Sequence, residues 1–267
     1  MKINIKLFLS FVSIILISSC SDYRKILKTP GFEKKLEAAL EYYEKEEYYK
    51  SSTLFQDIKP LVKGSEKSEI VDFYFAYSLY NLKQYELSAK YFKGFIELFS
   101  RSDKVIEAEY LYAFSLYKES PNSNLDQSNT IEAINAIQSF INKYPYSEFS
   151  KGANELIDEL QIKLETKNFE NAKQYYKTRT YKSAIIALNN FENDFPDSSY
   201  NDECNYLKIV CQYLIAKNSF DDLKKERYKK VTEYYLKFVD KYPNSSFITE
   251  AEKMYVESLN LLTKFAE

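Results

Sequence analysis

The feature that most constrains this chain is a set of fixed spacings that recurs along it. Ala172-x2-Tyr175-x5-Tyr181-x2-Ala184-x3-Leu188-x2-Phe191-x4-Pro196 sets small and large residues at offsets that suit two consecutive helices. Ala39-x2-Tyr42-x5-Tyr48-x2-Ser51-x3-Phe55-x2-Ile58 repeats those offsets, as does Ala76-x2-Leu79-x5-Tyr85-x2-Ser88-x3-Phe92-x2-Phe95-x4-Ser100. Two further copies keep the second half: Thr130-x2-Ala133-x3-Ile137-x2-Phe140-x4-Pro145 and Tyr228-x2-Val231-x3-Tyr235-x2-Phe238-x4-Pro243. Self-similarity at this period marks a repeat architecture. The small residues let two helix backbones approach closely, and the large ones fill the space left between them. Each unit is therefore expected to be a helical hairpin.

Proline cannot continue helical bonding, so Pro145, Pro196 and Pro243 read as repeat boundaries. Ser147, Ser198 and Ser245 follow two residues later, where they are expected to cap the next helix. The pattern of small residue, tyrosine, alanine, phenylalanine and proline resembles the tetratricopeptide repeat. The implied fold is all-α: a right-handed α-solenoid of about five such hairpins, with Ile248 to Phe265 as a C-terminal capping helix that covers the last open face. With only 4 Gly and 6 Pro, the chain has little material for the tight turns of an all-β protein. Lys118 to Asn129 and Asn218 to Arg227 read as insertions between the helices of the third and fifth units, of the kind that projects from an edge.

At the N-terminus, Lys2 and Lys6 precede an apolar run from Leu7 to Ile17, followed by the small Ser18 and Ser19. This is the layout of a signal peptide over 1–19. As a helix the run would rise only ~16 Å, short of the roughly 30 Å of a bilayer core. Ile17-Ser18-Ser19-Cys20 resembles the lipobox of bacterial lipoproteins, which implies a diacylglycerol on the Cys20 thiol and a further acyl chain, such as palmitate, on its amine. More than one chain is what stable anchoring requires. Ser21 stands where an inner-membrane retention Asp would be, which favours the outer membrane. Residues 20–31 then read as a lipidated tether.

Catalysis is not indicated. The chain has 0 His, and it shows no nucleophile motif, Gly-rich phosphate cradle or metal-ligand spacing. No cofactor and no metal are expected. On a helix, Cys204 and Cys211 would stand about 10 Å apart, too far for a disulfide, and they read as small hydrophobes on a buried face. A formal net charge of −2 gives no basis for nucleic-acid binding.

A lipobox cysteine, a short link, five such repeats and a capping helix together resemble the BamD family, the repeat lipoproteins of the β-barrel assembly machinery. The more specific marks are Tyr175-Tyr176, Tyr181, Ala184, Asn193-Asp194-Phe195-Pro196-Asp197-Ser198 and Lys143-Tyr144-Pro145. Phe99-Ser100 departs from the pattern, where the family often has proline. The resemblance implies a scaffold facing the periplasm from the outer membrane, with two partners: an Omp85-type barrel protein (BamA-like) and unfolded outer-membrane proteins. On this reading 32–147, repeats 1–3, meet the client, and 148–267, repeats 4–5 and the cap, dock onto the barrel component. The resemblance places the first helices along the binding groove, and offsets from Ala39, Ala76 and Ala113 select Tyr43, Phe73, Tyr77, Tyr80, Tyr110, Phe114 and Tyr117 for it. Such a groove suits a client strand that ends in an aromatic residue, since tyrosine offers apolar area with a polar tip. Lys224, Lys225, Arg227, Lys229 and Lys230 form a basic cluster suited to an acidic patch on the docking partner. The competing reading is a periplasmic repeat adaptor linking cell-wall synthesis or division to the outer membrane.

Overall fold

The computed structural model describes residues 22–264; the signal-peptide reading, Cys20 and Ser21 lie outside the described residues. Wherever the repeat offsets fall, helices form and pair. The first hairpin is α1 (Glu33–Glu44) with α2 (Tyr48–Val62), the second α3 (Lys67–Asn81) with α4 (Tyr85–Leu98), and the third α5 (Val105–Glu119) with α6 (Ser128–Lys143). After a 3-10 turn at Glu148–Ser150 come α7 (Ala153–Lys177) with α8 (Tyr181–Asp194), then α9 (Asn201–Lys217) with α10 (Asp221–Lys241), and last α11 (Ile248–Lys264). The fold is all-α, five hairpins and a C-terminal helix, with no strand among the described residues.

The repeat offsets are the core. Ala39, Ala76, Ala113 and Ala172 are buried on the first helices, and Ser51, Ser88, Ala133, Ala184 and Val231 are buried on the second. One and two turns further on, Phe55, Phe92, Ile137, Leu188 and Tyr235, then Ile58, Phe95, Phe140, Phe191 and Phe238, fill the interior of each hairpin. Tyr175 departs from the pattern, at 47% exposed. The α11 helix does cap its neighbours: Ala251 is fully buried against the cluster of Ile209, Tyr213 and Phe238, and Tyr255 stacks on Tyr235 at 4.3 Å.

Two kinds of turn recur. Within hairpins 1, 2 and 4 the first helix ends in a left-handed residue, Glu46, Lys83 or Arg179, at φ 59°, 60° and 61°. The amide of that residue donates three residues back and the next amide five back, as in Glu46 to Tyr43 and Glu47 to Tyr42, which satisfies the orphan carbonyls of the helix end. Between hairpins, the hydroxyls of Ser65, Ser102, Ser147, Ser198 and Ser245 each accept from the amide two residues on. Ser147 is the N-cap of the 3-10 turn at Glu148–Ser150. Ser65, Ser102 and Ser198 instead close turns just ahead of their helices, where Glu66, Lys104 and Tyr200 take the N-cap position. Ser102 completes this turn even though Ser100 replaces the proline.

Two expectations change. Asn218 to Arg227 is no projecting loop, because α10 already begins at Asp221. Asp221 and Asp222 sit in its first turn, and Leu-Lys-Lys-Glu-Arg that follows has high helix propensity, so the insertion is added as helix. Nor is the link before α1 free: residues 22–28 are helical, and Tyr23, Ile26, Leu27 and Phe32 pack on the first hairpin.

The described chain forms two compact units. One runs through Pro121 and resumes over Asp126–Leu160; the other takes Asn122–Leu125 and everything from Gln161, so the boundary falls inside α7. Asn124 joins the second unit through its carbonyl, which accepts from Lys167 Nζ at 2.9 Å.

A candidate protein-binding surface

In the first unit the aromatic residues selected on α1, α3 and α5 form one continuous row. Tyr43 meets Tyr77 at 5.6 Å between ring centroids, Tyr77 meets Tyr80 at 6.1 Å, and Tyr80 meets Phe114 at 6.3 Å. Phe114 stacks on Tyr110 at 5.5 Å and touches Tyr117 at 5.4 Å. All six rings are half-buried, so each keeps a face or edge for a ligand. Phe73 is the exception. It is 1% exposed and sits among Tyr74, Tyr77, Phe92 and Phe95, so it fills the hairpin interior and presents nothing outward. Its offset turns it inward, toward the two phenylalanines of α4.

Four more rings extend the row. Tyr48 and Tyr74 flank Tyr43, Tyr85 flanks Tyr80, and Phe149 stacks on Tyr110 at 4.9 Å. Tyr48 and Tyr85 were visible in the repeat offsets themselves. Phe149 was not, because it lies in the connection after α6, where no helical spacing predicts its position.

Burial pushes the Tyr43, Tyr77, Tyr80 and Tyr110 phenols up, Tyr80 to about 12. Glu107 beside Tyr77 raises that phenol further, while for Tyr117 the hydrogen bond it donates to Glu159 is the main cause. These hydroxyls therefore stay protonated at any physiological pH and act as neutral donors. Lys118 Nζ stands 4.9 Å from the Phe114 ring centre, so the faces of these rings already attract a cation. The row thus combines apolar area, hydroxyl donors and π-faces, a surface suited to peptide and not to bond-breaking chemistry.

The basic residues of α10 do not converge. Lys224 pairs with Asp221 at 2.8 Å and Lys230 with Glu226 at 2.9 Å, while Arg227 donates to the Ser219 hydroxyl. Arg227 and Lys230 border a shallow recess with Lys182, Gln212 and Tyr234; Lys225 and Lys229 are exposed and do not line it. Placing five cations within seven residues of a helix spreads them around its circumference, and interleaved carboxylates neutralise part of the charge.

In the second unit the densest electrostatic site is one that sequence reading missed. Glu192 accepts from Lys208 at 2.6 Å, Lys241 at 2.8 Å and Asn205 at 3.1 Å, joining α8, α9 and α10. Burial pushes its carboxyl up, but these three donors outweigh that and bring it down to about 2. Cys204 and Cys211 are free and fully buried; burial raises both thiols to about 12, and Cys204 Sγ donates to the Leu188 carbonyl. They pack as small hydrophobes and are poor nucleophiles.

Comparison with known proteins adds the following. The model of the YfiO family, described as "Outer membrane lipoprotein", matches residues 33–175 and 163–265. No curated protein matches. Among solved structures, the TPR2AB-domain:pHSP90-complex of yeast Sti1 is similar at 11% identity and a TM-score of 0.38, with 85% of this chain and 97% of that chain covered.

Proposed function

Because the chain belongs to the YfiO family of outer membrane lipoproteins, we propose that it is a non-catalytic scaffold of the β-barrel assembly machinery, held by an acylated Cys20 and facing the periplasm. No described helix is long and apolar enough to cross a membrane, which accords with a lipid anchor. In this reading the chain takes the role of the BamD family. Repeats 1–3 receive unfolded outer-membrane proteins, and repeats 4–5 with α11 hold the Omp85-type barrel component.

The observation that carries the reading is the aromatic row of the first unit. A client that has not yet folded presents extended backbone and alternating apolar side chains. Half-buried tyrosines can take up the side chains by ring contact while their hydroxyls donate to the backbone carbonyls, at little cost in side-chain entropy. Binding of this kind is weak at each ring and summed along the row, so a client can be released as it folds.

The test is a crosslinked pull-down from native outer membranes with the lipidated protein as bait. Recovery of an Omp85-type protein together with unfolded barrel proteins is expected. Tyr77→Ala combined with Phe114→Ala lowers client recovery at least about tenfold, in line with the cost of losing aromatic hot spots, and leaves the barrel component in place. Lys225→Glu with Lys229→Glu does the reverse. Recovery of cell-wall enzymes without an Omp85-type protein would replace this reading with that of the periplasmic adaptor.

A further inference from the structure

The segment ahead of the first hairpin reads Asp22-Tyr23-Arg24-Lys25-Ile26-Leu27-Lys28 and is helical throughout. Seven residues cannot hold a helix in water unaided, so packing must hold this one. Tyr23, Ile26 and Leu27, at i, i+3 and i+4, lie on the core of the first hairpin. The Tyr23 ring meets Tyr42 edge-on at 5.7 Å, and Lys50 Nζ stands 4.9 Å over Tyr42 and 5.9 Å over Tyr23. The opposite face carries Arg24, Lys25 and Lys28, all exposed. Lys25 pairs with Asp22 at 3.0 Å, but both side chains are more than 70% exposed, so the pair is weak. Arg24 and Lys28 meet no carboxylate among the described residues. At the same end of the hairpin, beside Lys50, Tyr49 stands 70% exposed.

We propose that this basic face rests on anionic phospholipid headgroups, so that the anchor fixes the first hairpin against the membrane surface instead of trailing it on a loose link. The direction of the proposal rests on the reading of Cys20 as acylated. Two residues of chain span at most about 7 Å, so an acyl group at Cys20 would hold Asp22, and the helix behind it, at headgroup level. A lipid chain and a basic patch are the two signals whose combination makes membrane attachment stable. Tyrosine prefers that same interfacial depth, which gives the exposed Tyr49 a place. Because Tyr23, Ile26 and Leu27 clamp the helix to α1 and α2, whatever orients the helix orients the hairpin.

The test separates this from acylation. The chain from residue 20 to its end, carrying Cys20→Ser and so bearing no lipid, is mixed with vesicles of phosphatidylcholine alone or with 30% phosphatidylglycerol, and binding is read by co-sedimentation. Binding to the anionic vesicles only is expected, weakening as salt is raised. Each cation near such a surface contributes roughly fivefold, so Arg24→Gln, Lys25→Gln and Lys28→Gln together weaken binding on the order of 100-fold. The same number of neutralised cations at Lys225, Lys229 and Lys237 leaves binding unchanged, and helical content by circular dichroism confirms that each variant folds. No preference for anionic vesicles, equal loss in the control variant, or displacement by inorganic phosphate as effective as raised salt would overturn the proposal. Acylation is read apart from this, by palmitate labelling of the intact protein with and without Cys20→Ser; its failure would remove the anchor without touching the vesicle result.

Discussion

Hairpins 1 and 2 meet across the same repeat positions as hairpins 4 and 5, with different chemistry at each. Where Ser51 on α2 faces Ser78 on α3 at 3.2 Å, the second unit has Ala184 on α8 and Cys211 on α9. Where Lys59 pairs with Asp72 and stands over the rings of Phe75 and Tyr91, the second unit has Glu192 with Asn205, Lys208 and Lys241. The first unit closes its seam with hydrogen-bonded hydroxyls and a cation on aromatic rings; the second closes it with small apolar groups inside and a charge network at the rim. One backbone frame accepts both, because the frame is set by the size of the residues at the offsets and not by their polarity.

The charge network offers the sharpest way to break the comparison. Glu192→Gln keeps the shape but leaves Lys208, 8% exposed, without its anion. A nearly buried unpaired ammonium makes this expensive, and a loss of about 2–3 kcal/mol in urea denaturation is expected. Lys59→Met costs less, about 1–2 kcal/mol, since the methionine keeps its packing on Phe75 and Tyr91 while Asp72 loses its partner. The Glu192 carboxyl is depressed when folded, so its contribution is present above the ordinary glutamate range near 4.5 and is lost as pH falls toward about 2. An acid titration of stability followed through that window should show this loss in the natural chain and lack it in Glu192→Gln. Equal acid slopes in the two would show that Glu192 contributes nothing to the second seam.

The serine pairs sharpen the comparison on a smaller scale. Ser51 Oγ lies 2.9 Å from the Ala39 carbonyl and Ser78 Oγ 2.7 Å from that of Tyr74. Each hydroxyl has a single proton, so one donates to its carbonyl and accepts from the other across the 3.2 Å between them. Ser51→Ala and Ser78→Ala should each cost about 1 kcal/mol, and their double-mutant cycle should leave a coupling of about 0.5 kcal/mol. Transplanting the pair as Ala184→Ser with Cys211→Ser should recover a coupling of the same sign if the seams share one geometry. A coupling of zero at the transplanted site would mean that the second seam has closed more tightly or more loosely than the first.

What was legible in the sequence follows from the same distinction. The hairpins could be read because Ala39, Ala76, Phe92 and Phe191 sit at offsets that only close helix packing demands, and such residues are buried wherever the motif recurs. Six rings of the row could be read because they share the first helices with those alanines. Phe73 was misplaced because a shift of about one residue turns a helical side chain from surface to core, which no offset table resolves. Glu192 and the docked helix at 22–28 escaped notice for a different reason. Their partners, Lys208, Lys241 and Tyr42, are neighbours only through tertiary packing, which leaves no periodic trace.

The feature the two units share gives the smallest effect and the cleanest control. Lys83 in the first unit and Arg179 in the second hold the same left-handed conformation, at φ 60° and 61°, and close the same pair of backbone hydrogen bonds. A side chain there crowds its own carbonyl by about 1 kcal/mol, which glycine avoids, though glycine gives back part of the gain through the greater freedom of its unfolded chain. Lys83→Gly and Arg179→Gly are each expected to stabilise by about 0.5 kcal/mol and to raise Tm by about 1–2 °C for a chain of this size. Because the turn geometry is identical while the seams differ, the two shifts should match. A rise in one unit with a fall in the other would mean that one of these side chains makes a contact in solution worth more than the strain it carries, and the equivalence of the two turns would fail.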